Sequence, residues 1–453
     1  MHPLAVRHLL LPVHERLFGR NTVSYAHALE RSQWWSLDRL RDLQERKLRG
    51  LLENAAAYCP FYRRRLDAAG LDPARVTLDA LTALAPITKD DIRAHADEMI
   101  DPRARRRLHP YSTGGSTGEP LLFKIDRARQ AADQAARIRS RRWFGIEPGE
   151  RELYLWGAPV ELAAQDRLKR LRDRLTNHRL LGAFHMTQAM MSDYLRKIER
   201  FDPVHIFGYP SSLARLAQHA RRVGAAVRTP SLKAVFTTGE VFLPADRERI
   251  EEAVRVPVAD GYGSREAGFI AHQCPLGRYH VTMESLIVEL LDLEGRPVDA
   301  VRSGGDPSPV GEVTVTHLDA RGMPFIRYRT GDLARRPSTV CPCGRGLESL
   351  EIVEGRRTDM LRTADGGSAH ALSVIYVLRE EPDVRQFKVV QKPNCDLDVA
   401  VVAGPAFDAV RRRRVSASLR RCIGGDITVR LRTVNEIPPD PSGKHRHVTR
   451  ETK

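Results

Sequence analysis

The spacing of hydrophobic and polar positions changes three times along the chain. Over the first hundred residues apolar side chains recur at helical intervals: Leu37, Leu40, Leu48, Leu51 and Leu52, continuing into Ala55–Ala57, predict a long amphipathic helix that Pro60 ends. A polar loop at Tyr111–Pro120 and a helix over Arg127–Phe144 follow. From about residue 150, short apolar runs at 152–157 (ELYLWG), 205–210 (HIFGYP), 234–240 (AVFTTGE) and 258–263 (VADGYG) are separated by helical stretches at Ala189–Phe201, Leu213–Val223 and Ala245–Ala253. Strands alternating with helices predict crossover units and an α/β sheet. The run 279–292 (YHVTMESLIVELLD) reads as a strand pair, and 311–319 (GEVTVTHLD) adds to this β region.

A further change comes near Gly355–Asp359. Beyond it an alternating pattern runs through Ala371–Leu378, 386–392 (QFKVVQK), 397–403 (LDVAVVA) and 426–434 (DITVRLRTV), around a helix near Val410–Leu419. The expected fold is therefore a large α/β region of several subdomains over residues 1–355 and a smaller α+β domain over 356–453. No internal repeat is seen.

With 453 residues, 42% of them hydrophobic, the chain can build more than one core. Its net charge of +16 would admit an anionic partner, but the arginines alternate with Glu and Asp in helical patterns such as ERSQWWSLDRLRDLQERKLRG. No basic tail or aromatic-interleaved strand accompanies the charge, so nucleic acid is not an expected partner. The six cysteines are sparse and uneven, which fits a reducing, cytoplasmic setting. The apolar run Leu9–Val13 is too short to span a bilayer; its apolar face is expected to pack on the domain, with an amphipathic surface contact as the alternative. Cys59, Cys395 and Cys422 read as small hydrophobes.

Five segments carry candidate chemistry. Tyr111-Ser-Thr-Gly-Gly-Ser-Thr-Gly-Glu-Pro120 has three glycines that let the backbone approach an anion, with hydroxyls to hold phosphate oxygens, yet lacks the Gly-Lys-Ser/Thr of a Walker A loop. Gly261-Tyr-Gly-Ser-Arg-Glu-Ala-Gly268 follows a strand, where α/β folds bind ligands; Tyr262 could stack on a flat base and Glu266 could hold Mg²⁺. Phe325-Ile-Arg-Tyr-Arg-Thr-Gly-Asp-Leu333 presents Asp332 on a glycine turn, suited to accept bonds from ribose hydroxyls. Glu354-Gly-Arg-Arg-Thr-Asp-Met360 and Pro438-Pro-Asp-Pro-Ser-Gly-Lys-His445 complete the series, the latter carrying Lys444 on a glycine loop. Each alone is an ordinary surface turn.

In this order the set resembles the adenylate-forming superfamily of acyl-CoA synthetases, adenylation domains and luciferases, and more closely its phenylacetate–CoA ligase and CapK-like branch. The resemblance implies ATP and Mg²⁺ as cofactors and a small carboxylic acid, aryl acids included, that is activated as acyl-AMP with pyrophosphate release. Thr113, Gly114, Gly115, Ser116, Thr117 and Gly118 would handle the β- and γ-phosphates, and Thr237, Thr238, Gly239 and Glu240 would line the adenine pocket. Gly261, Tyr262, Gly263 and Ser264 would hold the base, Glu266 the Mg²⁺, and Asp332 with Arg356 the ribose. Asp359 would be the hinge of a mobile small domain, and Lys444 the catalytic lysine bridging carboxylate and α-phosphate. Trp156, His185 and Tyr209 fall where relatives shape the acyl pocket. A homodimer is the family-based expectation.

The acyl group would then pass to CoA. Arg362–His370 departs from the glycine-valine-asparagine pattern of phenylacetate–CoA ligases, and Glu119 and Leu121 stand where many relatives carry a phosphate-loop lysine. An amine acceptor, giving an amide in polysaccharide or natural-product synthesis, is therefore the alternative. A non-catalytic nucleotide- and zinc-binding protein is a third reading, opposed by the presence of Lys444, Glu266 and Asp332.

Cys341-Pro-Cys-Gly344 pairs two thiols, and Cys274-Pro-Leu-Gly-Arg-Tyr-His280 offers a third with an imidazole. Three sulfurs and one nitrogen suit a closed, tetrahedral Zn²⁺ site, and relatives carry a similar set. The expected ligands are Cys274, His280, Cys341 and Cys343, with His272 as rival for the nitrogen.

Overall fold

The computed structural model describes residues 2–112, 121–157, 173–183, 186–292, 294–298, 308–356, 360–364, 368–370, 374–375, 377–378, 381, 383–424, 427–438 and 447–451. The chain divides into two units, Met1–Thr330 with Ala334–Ile352, and Gly331–Leu333 with Val353–Lys453.

The first unit begins with helices. Leu37–Tyr58 is capped by the Ser36 side chain, which accepts from the Arg39 N–H, and it buries Leu40, Leu48, Leu51, Leu52 and Ala55 along one face. Pro60 cannot donate a helical bond, so the chain breaks at Cys59 and Pro60 opens the next helix, Pro60–Ala68. β1 (His109–Ser112) and β2 (Leu122–Ile125) pair antiparallel with Ser112 opposite Leu122.

Crossover units build the parallel part of an eleven-stranded sheet. β3 (Glu152–Leu155), β4 (His178–Leu181), β5 (His205–Gly208), β6 (Ala234–Thr238) and β7 (Val258–Ser264) lie in the order β4-β3-β5-β6-β7. Helices Gln188–Phe201, Pro210–Val223 and Pro244–Val254 connect them and bury Leu195, Leu213, Leu216 and Ile250 with Leu155, Ile206 and Val235. β8 (Gly268–Gln273) and β9 (Tyr279–Val281) continue the sheet antiparallel, followed by β10 (Leu286–Leu291), β11 (Gly311–His317), β12 (Tyr328–Arg335) and β13 (Ser349–Arg356). Two buried ion pairs lock the region. Arg139 meets Glu284 at 2.7 Å, and Arg327 forks onto Glu289 at 2.8 and 3.0 Å.

Residues 3–17 correct an expectation. They run as Pro3–Ala5, a π turn Val6–Leu10 and Leu11–Leu17, but Leu4, Leu9, Val13, Leu17 and Phe18 face solvent. The contact with the body is made by Val6 and the buried Glu15, and within the run Leu9–Val13 only Leu10, Leu11 and Pro12 are partly buried.

In the second unit β14 (Met360–Arg362) pairs with β15 (Ser368–His370). β16 (Val384–Gln391), β17 (Leu397–Ala403), β18 (Val429–Thr433) and β19 (Val448–Arg450) form a sheet in the order β18-β17-β16-β19. Alternation on β16 and β17 buries Phe387, Val389, Leu397, Val399 and Val401 against Val415, Leu419 and Ile423 of helix Ala409–Ile423. The apolar run at 371–378 is not a strand where described. Residues 374, 375, 377 and 378 are helical, and Val374 and Leu378, four apart, both enter this core.

Candidate active site

The C-terminal ends of β3, β5, β6 and β7 share one edge of the sheet, where the strands deliver Trp156, Tyr209, Thr238 and Tyr262. This is the edge at which parallel α/β sheets bind ligands. Trp156 stacks on Tyr209 with ring centroids 3.9 Å apart and planes 19° apart, and on Phe207 at 5.4 Å. Gly239 makes that stack fit. Its φ of +80° suits glycine, and a Cβ there would press on both the Tyr209 and Trp156 rings. Thr238 donates its hydroxyl to the Gly261 carbonyl at 2.5 Å, joining the ends of β6 and β7. Glu240 takes a partly structural part, accepting the Ser211 N–H at 3.1 Å in the first turn of helix Pro210–Val223.

Beneath this edge lies a buried carboxylate that sequence reasoning passed over. Asp260, just before Gly261, accepts from Thr237 Oγ1 at 2.5 Å and from the Tyr279 hydroxyl at 2.7 Å. Burial outweighs these donors and pushes its carboxyl up to about 6. It thus ties β6, β7 and β9 together directly under Tyr262.

The β7–β8 turn carries Glu266. Gly263 has no room for a side chain, because a Cβ would strike the Gly268 carbonyl, and Ser264 Oγ accepts the Ala267 N–H at 3.0 Å. The turn therefore holds Glu266 buried, with Oε1 3.3 Å from Lys89 Nζ and 3.4 Å from the Tyr328 hydroxyl. Arg265 reaches out and donates to the Ser112 carbonyl at 2.8 Å, while the buried Arg129 donates to the Arg265 carbonyl at 2.6 Å. The turn bearing the carboxylate is so fixed to the end of β1.

Lys89 is a site residue that the motif search missed, although it leaves a signal. It is the first residue of helix Lys89–His95, whose capping box is Thr88 with Asp91. A cation at a helix N-terminus opposes the helix dipole, which marks it as serving something other than helix stability.

The phosphate-loop residues Thr113, Gly114, Gly115, Ser116, Thr117 and Gly118, with His185, Asp359 and Lys444, lie outside the described residues. Asp332 belongs to the second unit by grouping, beside Gly331 at φ +84°, and Arg356 ends β13. His205 is a buried core residue. It opens β5 at the far end from Tyr209, 3.3 Å from Glu152, and burial drives its imidazole down to about 4.

Cys274, His280, Cys341 and Cys343 converge, their ligating atoms all within 4.8 Å of one another. Cys274 Sγ and Cys341 Sγ are 3.8 Å apart, and Cys343 Sγ is 3.2 Å from His280 Nε2. Two thiolates on one tetrahedral zinc, each about 2.3 Å from it, lie about 3.8 Å apart, so the donor set fits that ion. His280 Nδ1 faces the Leu347 carbonyl at 3.4 Å, which leaves Nε2 toward the sulfurs, and burial keeps the ring neutral, its pKa down to about 4. His272 is outside the cluster, stacked on Phe269 at 5.2 Å.

Residues 361–451 match the family model of the CapK C-terminal domain. Over its whole length the chain is 22% identical to Protein CapK of Staphylococcus aureus, covering 98% of that protein. It is 25% identical to a phenylacetate-coenzyme A ligase of Thermus thermophilus, over 91% of this chain and 96% of that one. Among solved structures, 2-hydroxyisobutyryl-CoA ligase in its postadenylation state superposes with a TM-score of 0.73 at 20% identity, over 93% of this chain and 92% of that one. The amide bond synthetase McbA of Marinactinospora thermotolerans gives 0.52 at 20% identity, over 94% and 98%.

Proposed function

We propose that this homologue of CapK and of the phenylacetate-coenzyme A ligases is an ATP-dependent, AMP-forming carboxylate ligase. One carboxylate oxygen of a small organic acid attacks the α-phosphorus of ATP, the bond to the bridging oxygen breaks, and pyrophosphate leaves. The CoA thiol then attacks the acyl carbon of the mixed anhydride, loses its proton, and expels AMP.

The observation that carries this reading is the convergence of Tyr262, Thr238 and Glu266 at one sheet edge, with Arg265 bonded at 2.8 Å to the carbonyl of Ser112 at the end of β1. In this reading Tyr262 stacks on adenine, Thr113–Gly118 supply backbone and hydroxyl donors to the phosphates, and Asp332 and Arg356 bind the ribose. Trp156 and Tyr209 wall the acyl pocket, an apolar setting suited to an aryl or short branched acid. Glu266 would hold Mg²⁺, which supplies charge neutralisation at the phosphates. Lys444 offsets the negative charge gathering on the carboxylate and α-phosphate oxygens. Zinc at the four-ligand cluster has a structural part, pinning the β8–β9 hairpin that carries Cys274 and His280 to the Cys341–Cys343 loop.

The test is pyrophosphate release from ATP and Mg²⁺ over a panel of aryl, fatty and hydroxy acids, with Lys444→Ala as control. Each acid is run alone, with CoA, and with amines. Acid-dependent release that Lys444→Ala abolishes supports adenylation, and acceleration by CoA supports thioester formation. Acceleration by an amine instead would replace the thioester with an amide. Absence of acid-dependent release across the panel, from folded protein that binds ATP, would overturn the ligase reading.

A further inference from the structure

Residues 3–17 are seated on the body by a side that carries Val6, Glu15 and the partly buried Leu10 and Leu11. Val6, 4% exposed, rests on the backbone of Gly149, where a Cβ would collide with it. Arg7 reaches Glu147 at 3.4 Å. The buried Glu15 accepts from Thr22 and, at 2.7 Å, from Arg20.

A second set of apolar side chains points away. Pro12 cannot donate a backbone bond, and the chain just before it forms a π turn, with Leu11 N–H bonded to the Val6 carbonyl. That turn spaces Leu4 and Leu9 five residues apart, and the α-helical part continues with Val13 and Leu17 at intervals of four. All four side chains are exposed, Leu9 by 62% and Leu17 by 79%, and Phe18 extends the stripe. A contiguous apolar stripe of this kind, on a segment firmly held from behind, marks a docking surface.

Its charge says what docks. Residues 2–20 hold three arginines, Arg7, Arg16 and Arg20, and three histidines, His2, His8 and His14. Their one acid, Glu15, is buried and engaged. Arg16 and His8 are exposed beside the stripe, and the Arg127 guanidinium lies against Gly19. A second copy of the chain would set these arginines against each other. An anionic lipid surface satisfies both features, taking leucines into the acyl boundary and cations among the phosphates.

We propose that residues 3–18 form an interfacial helix that docks the enzyme on anionic phospholipid membranes. The experiment is flotation of the full chain with vesicles of phosphatidylcholine alone, and with roughly a third phosphatidylglycerol. Wild-type protein is expected to float with the anionic vesicles, at least about 10-fold more than with neutral ones, and to be released by about 0.5 M salt. Leu9→Gln with Leu17→Gln is expected to lower partitioning by about 100-fold. Both side chains are exposed, so the variant should unfold at the wild-type temperature. Arg16→Glu should weaken binding to anionic vesicles and leave neutral ones unaffected. Failure of the wild type to float, or undiminished flotation of the leucine variant, would overturn the proposal. So would a dimer in sedimentation that the leucine variant dissolves, since the stripe would then bind a second copy.

Discussion

Replacing Cys341 by serine should remove the metal and loosen the first unit by an amount that can be worked out. Cys341 and Cys274 are 67 residues apart in sequence and 3.8 Å apart at sulfur, so a zinc ion held by both closes a 67-residue loop. A cross-link of that span restricts the unfolded chain by about 4 kcal/mol in the loop-entropy treatment. For a unit of this size each kcal/mol moves the midpoint by about 2 °C, so the thermal transition should fall by about 5–8 °C. Serine nearly matches cysteine in volume, which keeps a packing defect at this buried position small. Elemental analysis should find about one zinc per wild-type chain and almost none in Cys341→Ser. Thermal scans with a strong chelator should lower the wild type to the variant's midpoint and leave the variant unmoved. Wild-type protein that lacks zinc and ignores the chelator, or a variant that the chelator lowers equally, would refute the reasoning.

Glu289→Ala should destabilise the first unit by about 3–5 kcal/mol in denaturant unfolding, because it strands the buried Arg327 guanidinium without its carboxylate. Glu266→Gln should raise the Mg²⁺ concentration needed for half-maximal pyrophosphate release by about 10-fold or more, and Lys89→Met should shift the same curve, since its ammonium lies 3.3 Å from that carboxylate; a Mg²⁺ dependence identical to wild type in both would remove Glu266 from the metal. Asp260, raised to about 6 by burial, holds its proton more tightly folded than unfolded, so its contribution to stability is complete below about pH 4 and is lost as pH rises through 6. Unfolding of wild type measured against Asp260→Asn should therefore show the wild type losing relative stability across that window, by roughly 3 kcal/mol, the free energy that separates a carboxyl titrating near 4 from one titrating near 6. A difference that stays flat with pH would mean that Thr237 and Tyr279 keep the carboxylate ionised.

Features that depend on local backbone or on repeating pattern were legible in the sequence. The short apolar runs and the helical spacing between them located four of the five parallel strands and the three helices that connect them, while β4 (His178–Leu181), with only its last residue buried, left no such run. Gly263 and Gly239 marked the turns at the candidate site, since only glycine has room or the right φ there. The four zinc-type ligands were nameable from chemistry and resemblance, and β9 brings His280, the expected nitrogen, beside Cys343 while its rival His272 stays outside the cluster.

Contacts between residues far apart in sequence were decided by the tertiary structure alone. Nothing in the order of residues pairs Lys89 or Tyr328 with Glu266, or sends Arg265 to the Ser112 carbonyl; the approach of separate elements at one sheet edge does. The apolar run near the start shows the same limit from the other side. Its amphipathic spacing says that one face is apolar, but which face meets the body was set by Gly149 receiving Val6 and by Glu15 finding Thr22 and Arg20. Periodicity prescribes how side chains are distributed around a helix. The partners available at its docking position determine which side is buried.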